Sequence, residues 1–587
     1  MIQKKKWRIA FIMALFHMGI TSNLLAATIY IDNKLDVSCS GSYSVGARAC
    51  NGSDGAAYNT IQEAINNCSV GDVIYMRGGT YNEIAIDIPE SKNGSAWTSG
   101  NYTTLGSYPG EWAIVDGAGL NTNAKWYFQA IFTHPTGYGT GESNNYTAYW
   151  VFERFEVTGG RVGFFLKADN IKWRYMYIHD NGRSRGVTDT LVAGILSVCP
   201  RYSTIEYCYF KDNIQSPVSD MNNSNILFDS DYKDGVGNGN AFNINAATHH
   251  NVVRYNYLVG SRISIRQKEQ QRFGYNDRNP NEMTYKEFGD KWHHNIILDA
   301  SESIGASQDF IQIYNNITDS TINFGRRSGS TGDIPQIYNG VIYNNTVKRD
   351  ATDSSYGSYT TSGGYDPDFN NYYDNGAQKI IHEHVWFLNN IAANNSSSYH
   401  DEPFSFHWNI PENSNMPSQN NANLIVKNNL IYNNKNKNEF VIGHNNDSSY
   451  SGCDYQYQTV PSINSCFSAW TGDAQVINWS SSMFGLFMGS TGSAQYAINT
   501  DFSLGGTKLA GTVGIGISHP YLSKVMPIYV GAVSPNDNFW VESILQNVSS
   551  IAWLKEQGDG DPSWIEGSGQ VSSVPSKIQD FQIETGQ

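Results

Sequence analysis

The feature that most constrains the fold is a loose repeat, in which an asparagine followed by apolar residues closes one short strand-like run after another. Its members are Asn181, Asn213, Asn256, Asn295, Asn316, Asn345, Asn390 and Asn429. From Asn213 onward they are 43, 39, 21, 29, 45 and 39 residues apart. A propeller or a leucine-rich array keeps a nearly constant period, so these uneven gaps exclude both.

A minimum spacing near twenty residues, lengthened irregularly by insertions, is typical of a solenoid whose loops vary. Each coil would add short parallel strands about 4.8 Å from the next, with apolar residues inside and alternate residues on an outer face. The high content of Gly, Tyr and Phe (55, 37 and 26 residues) also favours strands and turns over long helices. An ordinary β-sandwich is the alternative.

The first ordered segment reads as a short helix over residues 60–68. Ile61, Ala64 and Ile65 have helical spacing, and Thr60 precedes them as a candidate N-cap. An alternating strand from Gly71 to Tyr81 follows. Because an uncapped solenoid exposes its core and its strand edges, we expect the helix to close the open end.

These segments together resemble known proteins. Thr60-Ile-Gln-Glu-Ala-Ile65, Gly71-Asp-Val-Ile, Gly79-Thr-Tyr81 and the asparagine-ended strands are similar to the right-handed parallel β-helix proteins of the pectate-lyase-like superfamily. The resemblance covers most of residues 28 to about 530. It implies an all-β, right-handed parallel β-helix with a short N-terminal capping helix. It also implies work on carbohydrates, because members are mostly secreted polysaccharide lyases, glycoside hydrolases and epimerases.

The charge balance limits the partners. The chain of 587 residues has a formal net charge of −15, and no Lys/Arg block is long enough for a general nucleic-acid binder. Lys4, Lys5, Lys6 and Arg8 precede an apolar run and a small-residue zone ending at Ala27, a pattern typical of a cleaved signal peptide. We therefore expect a secreted or periplasmic monomer of charge −19 without a membrane span. The predicted regions are 1–27 (signal peptide), 28–535 (β-helix with its cap) and 536–587 (helix and polar tail).

Seven cysteines follow the predicted cleavage point. The close pairs Cys39/Cys50 and Cys453/Cys466 lie among Gly, Ser and Asn, and in an oxidising compartment each pair is a candidate disulfide. Cys199 and Cys208 lie in strand-like sequence, which favours buried apolar packing over metal binding or catalysis. Since no CxxC spacing occurs, we infer no zinc site.

The richest segment for chemistry runs from residue 240 to residue 272. Alternation predicts inward Phe242, Ile244, Ile263 and Ile265, and it leaves two outward groups on neighbouring coils. The first group is Asn243 and Asn245, and the second is Arg262, Ser264, Arg266 and Lys268. We expect Asn245 and Arg266 to be stacked neighbours. Arg262, Arg266, Lys268 and Arg272 against Glu269 give a local charge of +3, which favours an anionic partner. Solvated basic side chains on an exposed strand are the alternative.

Such a cluster suits β-elimination of a uronate-containing polysaccharide. That reaction needs a group that stabilises the carboxylate, a base that removes the adjacent carbon-bound proton and an acid that protonates the departing oxygen. We predict that Arg266 neutralises the carboxylate and that Lys268 or His249 is the base. Asn243, Asn245, Arg262, Arg327 and Tyr257 are the predicted substrate contacts. Most other histidines, including the second pair His293-His294, are expected to pack in turns.

A second, partial resemblance concerns spacing. In chondroitinase-B-like alginate lyases a catalytic Lys is followed 21 positions later by a catalytic Arg. Ile263-Ser-Ile-Arg266 is similar to the second of these segments. The sequence departs from the pattern at the Lys position, which is Asn245, and after Arg266, where Gln267-Lys268 replaces His-Gly.

Acidic residues support two further hypotheses. Asp229, Asp231 and Asp234 precede the basic segment and could hold calcium as hard oxygen ligands. Alternatively, these acids or Asp299, Glu302 and Asp309 could form the carboxylate pair of a glycoside hydrolase. A non-catalytic glycan-binding surface protein is the third class. The sequence leaves these three classes open because this kind of scaffold hosts several chemistries.

Overall fold

The computed structural model describes residues 26–119, 129–134, 146–182, 192–214, 223–229, 248–267 and 289–324 except 307 and 309, shorter stretches between 336 and 458, and parts of 532–550. Its regular structure in these residues is almost entirely β. One α-helix, α1 (Ile61–Asn67), and one 3-10 turn, Glu90–Lys92, lie near the N-terminus. No helix in the described residues is long and apolar enough to cross a membrane.

The strands before residue 230 are β1 (Thr28–Ile31), β2 (Cys39–Tyr43), β3 (Gly55–Tyr58), β4 (Val73–Met76), β5 (Gly79–Tyr81), β6 (Ile86–Asp87), β7 (Thr103–Ser107), β8 (Ala113–Asp116), β9 (Ala130–Thr133), β10 (Thr147–Glu153), β11 (Glu156–Thr158), β12 (Val162–Leu166), β13 (Ala168–Arg174), β14 (Tyr177–His179), β15 (Val192–Val198), β16 (Thr204–Glu206), β17 (Tyr209–Lys211) and β18 (Asn223–Asp229). Most are short, three to seven residues, as the loose repeat predicts.

The later strands are β19 (Val252–Arg254), β20 (Tyr257–Gln267), β21 (Lys291–His293), β22 (Ile296–Ala306), β23 (Gln312–Tyr314), β24 (Ile317–Thr318), β25 (Ile322–Phe324), β26 (Gln336–Tyr338), β27 (Val341–Tyr343), β28 (Thr346–Lys348), β29 (Tyr365–Phe369), β30 (Ile381–Glu383), β31 (Trp386–Leu388), β32 (Ile391–Ala393), β33 (Ser405–Trp408), β34 (Ile425–Lys427), β35 (Leu430–Tyr432), β36 (Phe440–His444) and β37 (Tyr457–Gln458).

The strands form three rows, and each coil adds one strand to each row in turn. The first row is a 14-stranded sheet that runs from the N-terminal hairpin through β4, β7, β10, β13, β16, β19, β21, β23, β27 and β31 to β34. The second row includes β11, β14 and β17, and the third includes β12, β15 and β18. These two rows form one 21-stranded sheet because the long strands β20 and β22 belong to both.

Strands of successive coils pair in parallel along each row, apart from hairpins at the two ends. The chain therefore winds as a solenoid, and strand-to-parallel-strand connections of this kind are almost always right-handed. The predicted right-handed parallel β-helix is confirmed. The β-sandwich alternative is wrong, since the sheets are built from parallel rather than antiparallel strands.

The predicted cap is also confirmed. Thr60 Oγ1 accepts a hydrogen bond from the Glu63 N–H at 3.2 Å, which satisfies one of the unpaired amides at the start of α1. The same helix buries Ile61, Ala64 and Ile65 in the main core. Helix α1 thus covers the first coil with the face that its sequence periodicity predicts.

The cap contains one of the two predicted disulfides, Cys39–Cys50; Cys453 and Cys466 lie outside the described residues. Cys68, Cys199 and Cys208 are buried. Burial was predicted for Cys199 and Cys208. Burial raises the pKa of the Cys68 thiol to about 11 and also raises that of Cys208, which makes both thiols poor nucleophiles.

Reducing the Cys39–Cys50 disulfide should destabilise the cap. The bridge spans 11 positions, and a loop of that size constrains the unfolded chain by about 3 kcal/mol. We expect the first unfolding transition to shift to lower temperature with reductant in the wild type. A Cys39→Ser/Cys50→Ser variant should unfold at that lower temperature both with and without reductant. An equal response of both proteins to reductant would contradict this assignment.

A two-residue turn joins the first row to the second and explains the asparagine repeat. Its first residue has positive φ, as in Tyr255, His294 and Asn315 (φ 56°, 54° and 54°). Its second residue is the buried asparagine of the repeat, such as Asn256 or Asn295. After the first asparagine of the ladder, each buried asparagine accepts through Oδ1 from the backbone N–H and the Nδ2 of the asparagine before it. The series is Asn256, Asn295, Asn316, Asn345 and Asn390.

The repeat is not one series, as the sequence suggested, but two. Asn181 and Asn213 follow second-row strands and lie at the next corner, where Asn181 Nδ2 donates to Asn213 Oδ1 at 2.8 Å. The residue that precedes Asn256 in its own stack is Cys208, whose N–H donates to Asn256 Oδ1 at 2.9 Å. The 43-residue gap from Asn213 to Asn256 therefore joins two different corners of the β-helix.

Candidate functional site

Strand β20 carries two basic residues of the predicted site, Arg262 and Arg266, and bends between two rows. Gly260, with φ 63°, lies at the bend, where a side chain would be strained. Before it, Tyr257 pairs with Tyr209 and Ile296 in the second row. After it, Arg266 pairs in the third row. Tyr257 and Arg266 are therefore on the same strand but on different rows.

The ladder neighbours of Arg266 are Leu227 on β18 and Gly305 on β22. The expected stacking of Asn245 against Arg266 is therefore wrong, because both adjacent positions belong to other residues. Ile265 lies in the main core on one side of Arg266 in the strand. Gln267, on the other side, reaches the buried Asp290. Arg266 consequently projects to the outer face of the third row, as alternation predicted.

The prediction from alternation is wrong at Ser264, two positions before Arg266. Ser264 was expected on the outer face, but its Oγ bonds Asn225 Nδ2 at 2.9 Å and the residue is fully buried. Ile263 follows Ala193 and Ser224 along the ladder, and Ala193 belongs to a smaller apolar cluster outside the main core. The two-residue period of a flat strand is therefore interrupted between Ile263 and Ile265, where Ser264 and Ile265 both lie inside.

Arg262 and Arg266 are only 8% and 6% exposed. The alternative of solvated basic side chains on an open strand is therefore wrong for these two residues. A buried guanidinium needs anionic or polar partners, because desolvating a charge is costly. Strand β20 thus carries two buried cations, four residues apart.

Glu302 provides a carboxylate on the same face. It lies on β22, pairs with Ile263 and is 1% exposed. A Cβ on Gly305 would collide with Glu302 Oε1, so the carboxylate lies over Gly305, the ladder neighbour of Arg266. The Glu302 carboxylate therefore occupies the space over Gly305, the residue that pairs with Arg266 on the adjacent strand, and only a glycine at position 305 leaves room for this.

A buried polar network around Asp290 contacts the end of β20 through Gln267. Asp290 accepts from the Asn251 N–H and Nδ2 at 2.8 and 3.0 Å, and its own N–H donates to Gln308 Oε1 at 2.7 Å. Gln267 Nε2 lies 3.4 Å from the other carboxyl oxygen. Burial raises the pKa of Asp290 from 3.8 to about 7, although these hydrogen bonds oppose the change.

This network makes stability depend on pH. The folded pKa of Asp290 is raised, so its contribution is fully present below about pH 4 and is lost as the pH rises through about 7. We expect the stability difference between wild type and Asp290→Asn to shift with pH by up to about 1.4 kcal/mol per unit in that window. Urea unfolding at pH 4.5, 6 and 7.5 measures it. Burial also raises the pKa of Asp319, but Asp319 is present in both proteins and does not affect their difference. A difference in unfolding free energy that is the same at all three pH values would contradict the expectation.

His249, the alternative base, lies just before the first-row strand β19, where it forms a bridge with Arg201. It is 2% exposed, and its Nδ1 is 2.8 Å from His250 Nδ1. His293 and His294 repeat this arrangement at 2.7 Å, and His250 and His294 both have positive φ. Burial lowers the pKa of His294 to about 3. Turn packing, as expected for most histidines, describes both pairs; the catalytic role of His249 stays a prediction.

Tyr257 is half-buried on the second row. Its ring lies 5.5 Å from that of Tyr209 and packs against an apolar cluster that contains Val541 and Ile544 from the C-terminal segment. The described residues of that segment between 540 and 550 are helical. Since this segment covers the second row at Tyr257, a substrate contact there would be shared with the C-terminal segment.

The remaining candidates are placed only in part. Asp229 ends β18 and is fully buried rather than lying in a loop. No group of three His, Cys, Asp or Glu side chains in the described residues is arranged to hold a metal. Calcium binding therefore stays a prediction. Its other proposed ligands, Asp231 and Asp234, lie outside the described residues, as do Asn243, Asn245, Lys268 and Arg327.

Sequence reasoning missed an acid–imidazole group on the second row. His179 Nε2 lies 2.7 Å from Glu156 Oε1, and His179 Nδ1 lies 2.7 Å from Asp180 Oδ2. Trp112 Nε1 donates to the other Glu156 oxygen at 3.2 Å, and the Tyr177 ring stacks on His179 at 4.1 Å. The signal available in the sequence was the alternation of Glu156-Val-Thr and Tyr177-Ile-His, which leaves polar and aromatic side chains outside.

No family model and no curated protein matches the chain. Among solved structures, the chain is similar to a rhamnogalacturonan lyase, with 14% identity and a TM-score of 0.37 over 72% of this chain and 83% of that one. It is also similar to the pectate lyase Pel9A, with 13% identity and a TM-score of 0.30 over 64% and 78%. A third structure, XylC with xylose, has 9% identity and a TM-score of 0.36 over 72% and 86%.

These similarities are too distant to assign an activity, so the fold rests on the strand pairing itself. That pairing is parallel along three rows, with an asparagine ladder at the turn between the first two. The fold expected from the resemblance to the pectate-lyase-like superfamily, a right-handed parallel β-helix, is therefore the fold of this chain.

Proposed function

We propose that the protein is a secreted, monomeric carbohydrate-active enzyme that cleaves a uronate-containing polysaccharide by β-elimination on the outer face of the third row. One observation carries the proposal. Arg266 and Glu302 are both buried, and the Glu302 carboxylate lies over Gly305, which pairs with Arg266 on the adjacent strand. A preorganised cation held in a water-poor site stabilises a developing negative charge more strongly than a solvated one does.

In this proposal Arg266 meets the substrate carboxylate and stabilises the enolate-like charge that forms when the adjacent carbon loses its proton. Glu302 positions the guanidinium. Lys268 or His249 takes the proton, the bond between carbon and the departing sugar oxygen breaks, and that oxygen receives a proton from the protonated base or from water. The product therefore ends in a carbon–carbon double bond. Asn243, Asn245, Arg262, Arg327 and Tyr257 are the proposed substrate contacts.

Hydrolysis is the second candidate, and a specific observation favours it. Asp229 on β18 and Glu302 on β22 are buried carboxylates on the two strands that flank β20 in the third row. Glycoside hydrolases use two carboxyl groups on opposite sides of the scissile bond, one as acid and one as base or nucleophile. In that reaction Arg266 would bind substrate, and the product would have no double bond.

A substrate panel separates the candidates. Alginate, pectate, glycosaminoglycans and ulvan would be incubated with the full chain, and both reducing ends and ultraviolet absorbance of the unsaturated end would be measured. Elimination predicts that the two signals rise together. Reducing ends without absorbance would replace elimination by hydrolysis. If no glycan, including neutral ones, gives any product, the remaining hypothesis is a protein that binds glycans without cleaving them.

A further inference from the structure

The outer face of the first row differs from the face that carries Arg266. In three successive coils of the first row Lys172, Thr204 and Val252 are half-exposed, whereas Val151 in the preceding coil is buried. The adjacent column contains ion pairs between coils, including Arg174 with Glu153 at 2.5 Å. From β13 to β19 the first row therefore presents a partly exposed surface that runs along the stack of coils.

Aromatic rings line the corner that leads into this row. Tyr149, Asn170, Tyr202 and His250 occupy equivalent positions in four successive coils and all have positive φ, between 50° and 56°. Tyr202 is 48% exposed and is the one aromatic side chain among the described residues that reaches this level of exposure. Its ring stacks on His250 at 4.5 Å, which fixes its orientation.

A second aromatic group stands two coils away. The Trp97 ring lies 5.3 Å from the Tyr149 ring and 5.6 Å from the Tyr102 ring, and all three are half-exposed. Lys172 Nζ lies 3.9 Å from the centre of the Trp97 ring. Tyr149 and Tyr202 are two coils apart, a separation of about 10 Å at the usual strand spacing.

The backbone holds these rings in an uncommon conformation. Bulky residues rarely adopt positive φ, because their Cβ approaches the backbone closely. The Asn170 N–H donates to the Arg201 carbonyl at 2.9 Å, and the Tyr202 N–H donates to the His249 carbonyl at 3.2 Å. These bonds between coils fix the corner, so that the rings are presented outward at little further cost in conformational entropy.

We propose that Trp97, Tyr149, Lys172 and Tyr202 form a binding track for a linear anionic polysaccharide, separate from the Arg266 face. Aromatic rings pack against the apolar faces of sugar rings, and the track offers two such platforms about two coils apart along the axis. Lys172 supplies a positive charge that suits a uronate carboxylate in a protein whose net charge is −15. The identity of the polysaccharide rests on the proposed function.

The track would hold long chains near the enzyme without taking part in the reaction. Tyr202 lies in the turn that follows β15, a third-row strand, so a chain leaving the third row at this corner would meet the track. Multiple weak contacts along one chain raise the effective concentration of its other segments. Long substrates should therefore gain more from the track than short ones.

The test uses the full-length Arg266→Ala chain, so that cleavage does not confuse binding. Affinity electrophoresis in gels containing polygalacturonate or alginate measures retardation. We expect Trp97→Ala and Tyr202→Ala each to weaken binding about five- to tenfold, and Tyr202→Phe to retain it. Lys172→Met should weaken binding and reduce its salt dependence. Tyr108→Ala is the matched control, since Tyr108 is half-exposed and stacks on Arg77 at 4.8 Å in the cap.

The outcomes separate this inference from the proposed function. Unchanged retardation of both alanine variants, or equal loss in Tyr108→Ala, would overturn the track. Equally tight binding of carboxyl-reduced polygalacturonate would overturn its preference for anionic chains. If binding depends on Trp97 and Tyr202 but the wild-type protein cleaves no glycan, the track is supported and the proposed enzymatic activity is refuted. If the wild type cleaves long chains and neither alanine substitution changes that rate, the enzymatic activity is supported and the track is refuted.

Discussion

Arg266→Ala should lower the rate of polysaccharide cleavage by about a hundredfold or more. In the proposed elimination the guanidinium meets charge that develops only in the transition state, and losing such a contact costs about 3 kcal/mol of activation free energy. Because Arg266 is 6% exposed, water cannot replace it fully. The measurement is the initial rate of ultraviolet absorbance on the glycan that the panel identifies.

Two controls make this result specific. Arg266→Lys keeps the charge but loses the planar fork that matches a carboxylate, so it should recover only part of the rate. Glu302→Gln should lower the rate less than Arg266→Ala if the carboxylate only positions the guanidinium. A Glu302→Gln variant that is inactive, with reducing ends as the sole product of the wild type, would favour the hydrolase. Melting curves of all variants check that the β-helix is intact.

Asn295→Ala should destabilise the β-helix by about 3–5 kcal/mol. Asn295 Oδ1 accepts from the Asn256 N–H and Nδ2 at 3.1 and 3.0 Å. Its Nδ2 donates to the Val253 carbonyl and Asn316 Oδ1, both at 2.9 Å. Alanine would leave these buried groups unpaired, and each such group costs about 1–3 kcal/mol, with partial relaxation lowering the sum.

Thermal and urea unfolding measure this loss. Asn66→Ala is the control, because Asn66 is exposed on α1 and accepts only from Gln62 Nε2 within the helix at 3.1 Å. We expect that control to stay within about 0.5 kcal/mol of wild type. A loss below about 1 kcal/mol for Asn295→Ala would mean that the ladder orders the turn without stabilising the fold.

Local features of the fold followed from the sequence. The cap helix could be placed from the spacing of Ile61, Ala64 and Ile65 and from Thr60, because a helix end is determined by residues within one turn. The asparagine repeat indicated stacked coils, and its uneven gaps excluded a constant-period array. The disulfide between Cys39 and Cys50 was predictable from proximity along the chain.

The candidate site followed only in part. Alternation correctly placed Arg266 outside and Ile265 inside. It failed at Ser264, and it gave no means of finding Glu302 beside Arg266, because 36 residues separate them in the sequence. The same limit hid the contact between His179 and Glu156. Contacts between coils depend on the lengths of intervening loops, which the local pattern does not encode.

By itself, therefore, the sequence determined that this protein winds into capped coils with asparagines at the strand ends and a basic strand, because each of these depends on short-range spacing. Only the tertiary structure decided which residues share a face. The register between coils sets Arg266 between Leu227 and Gly305, and the bend at Gly260 separates it from Tyr257. The physical reason is that parallel strands pair across loops of any length, and the packing of side chains in the common core, rather than distance along the chain, selects the register.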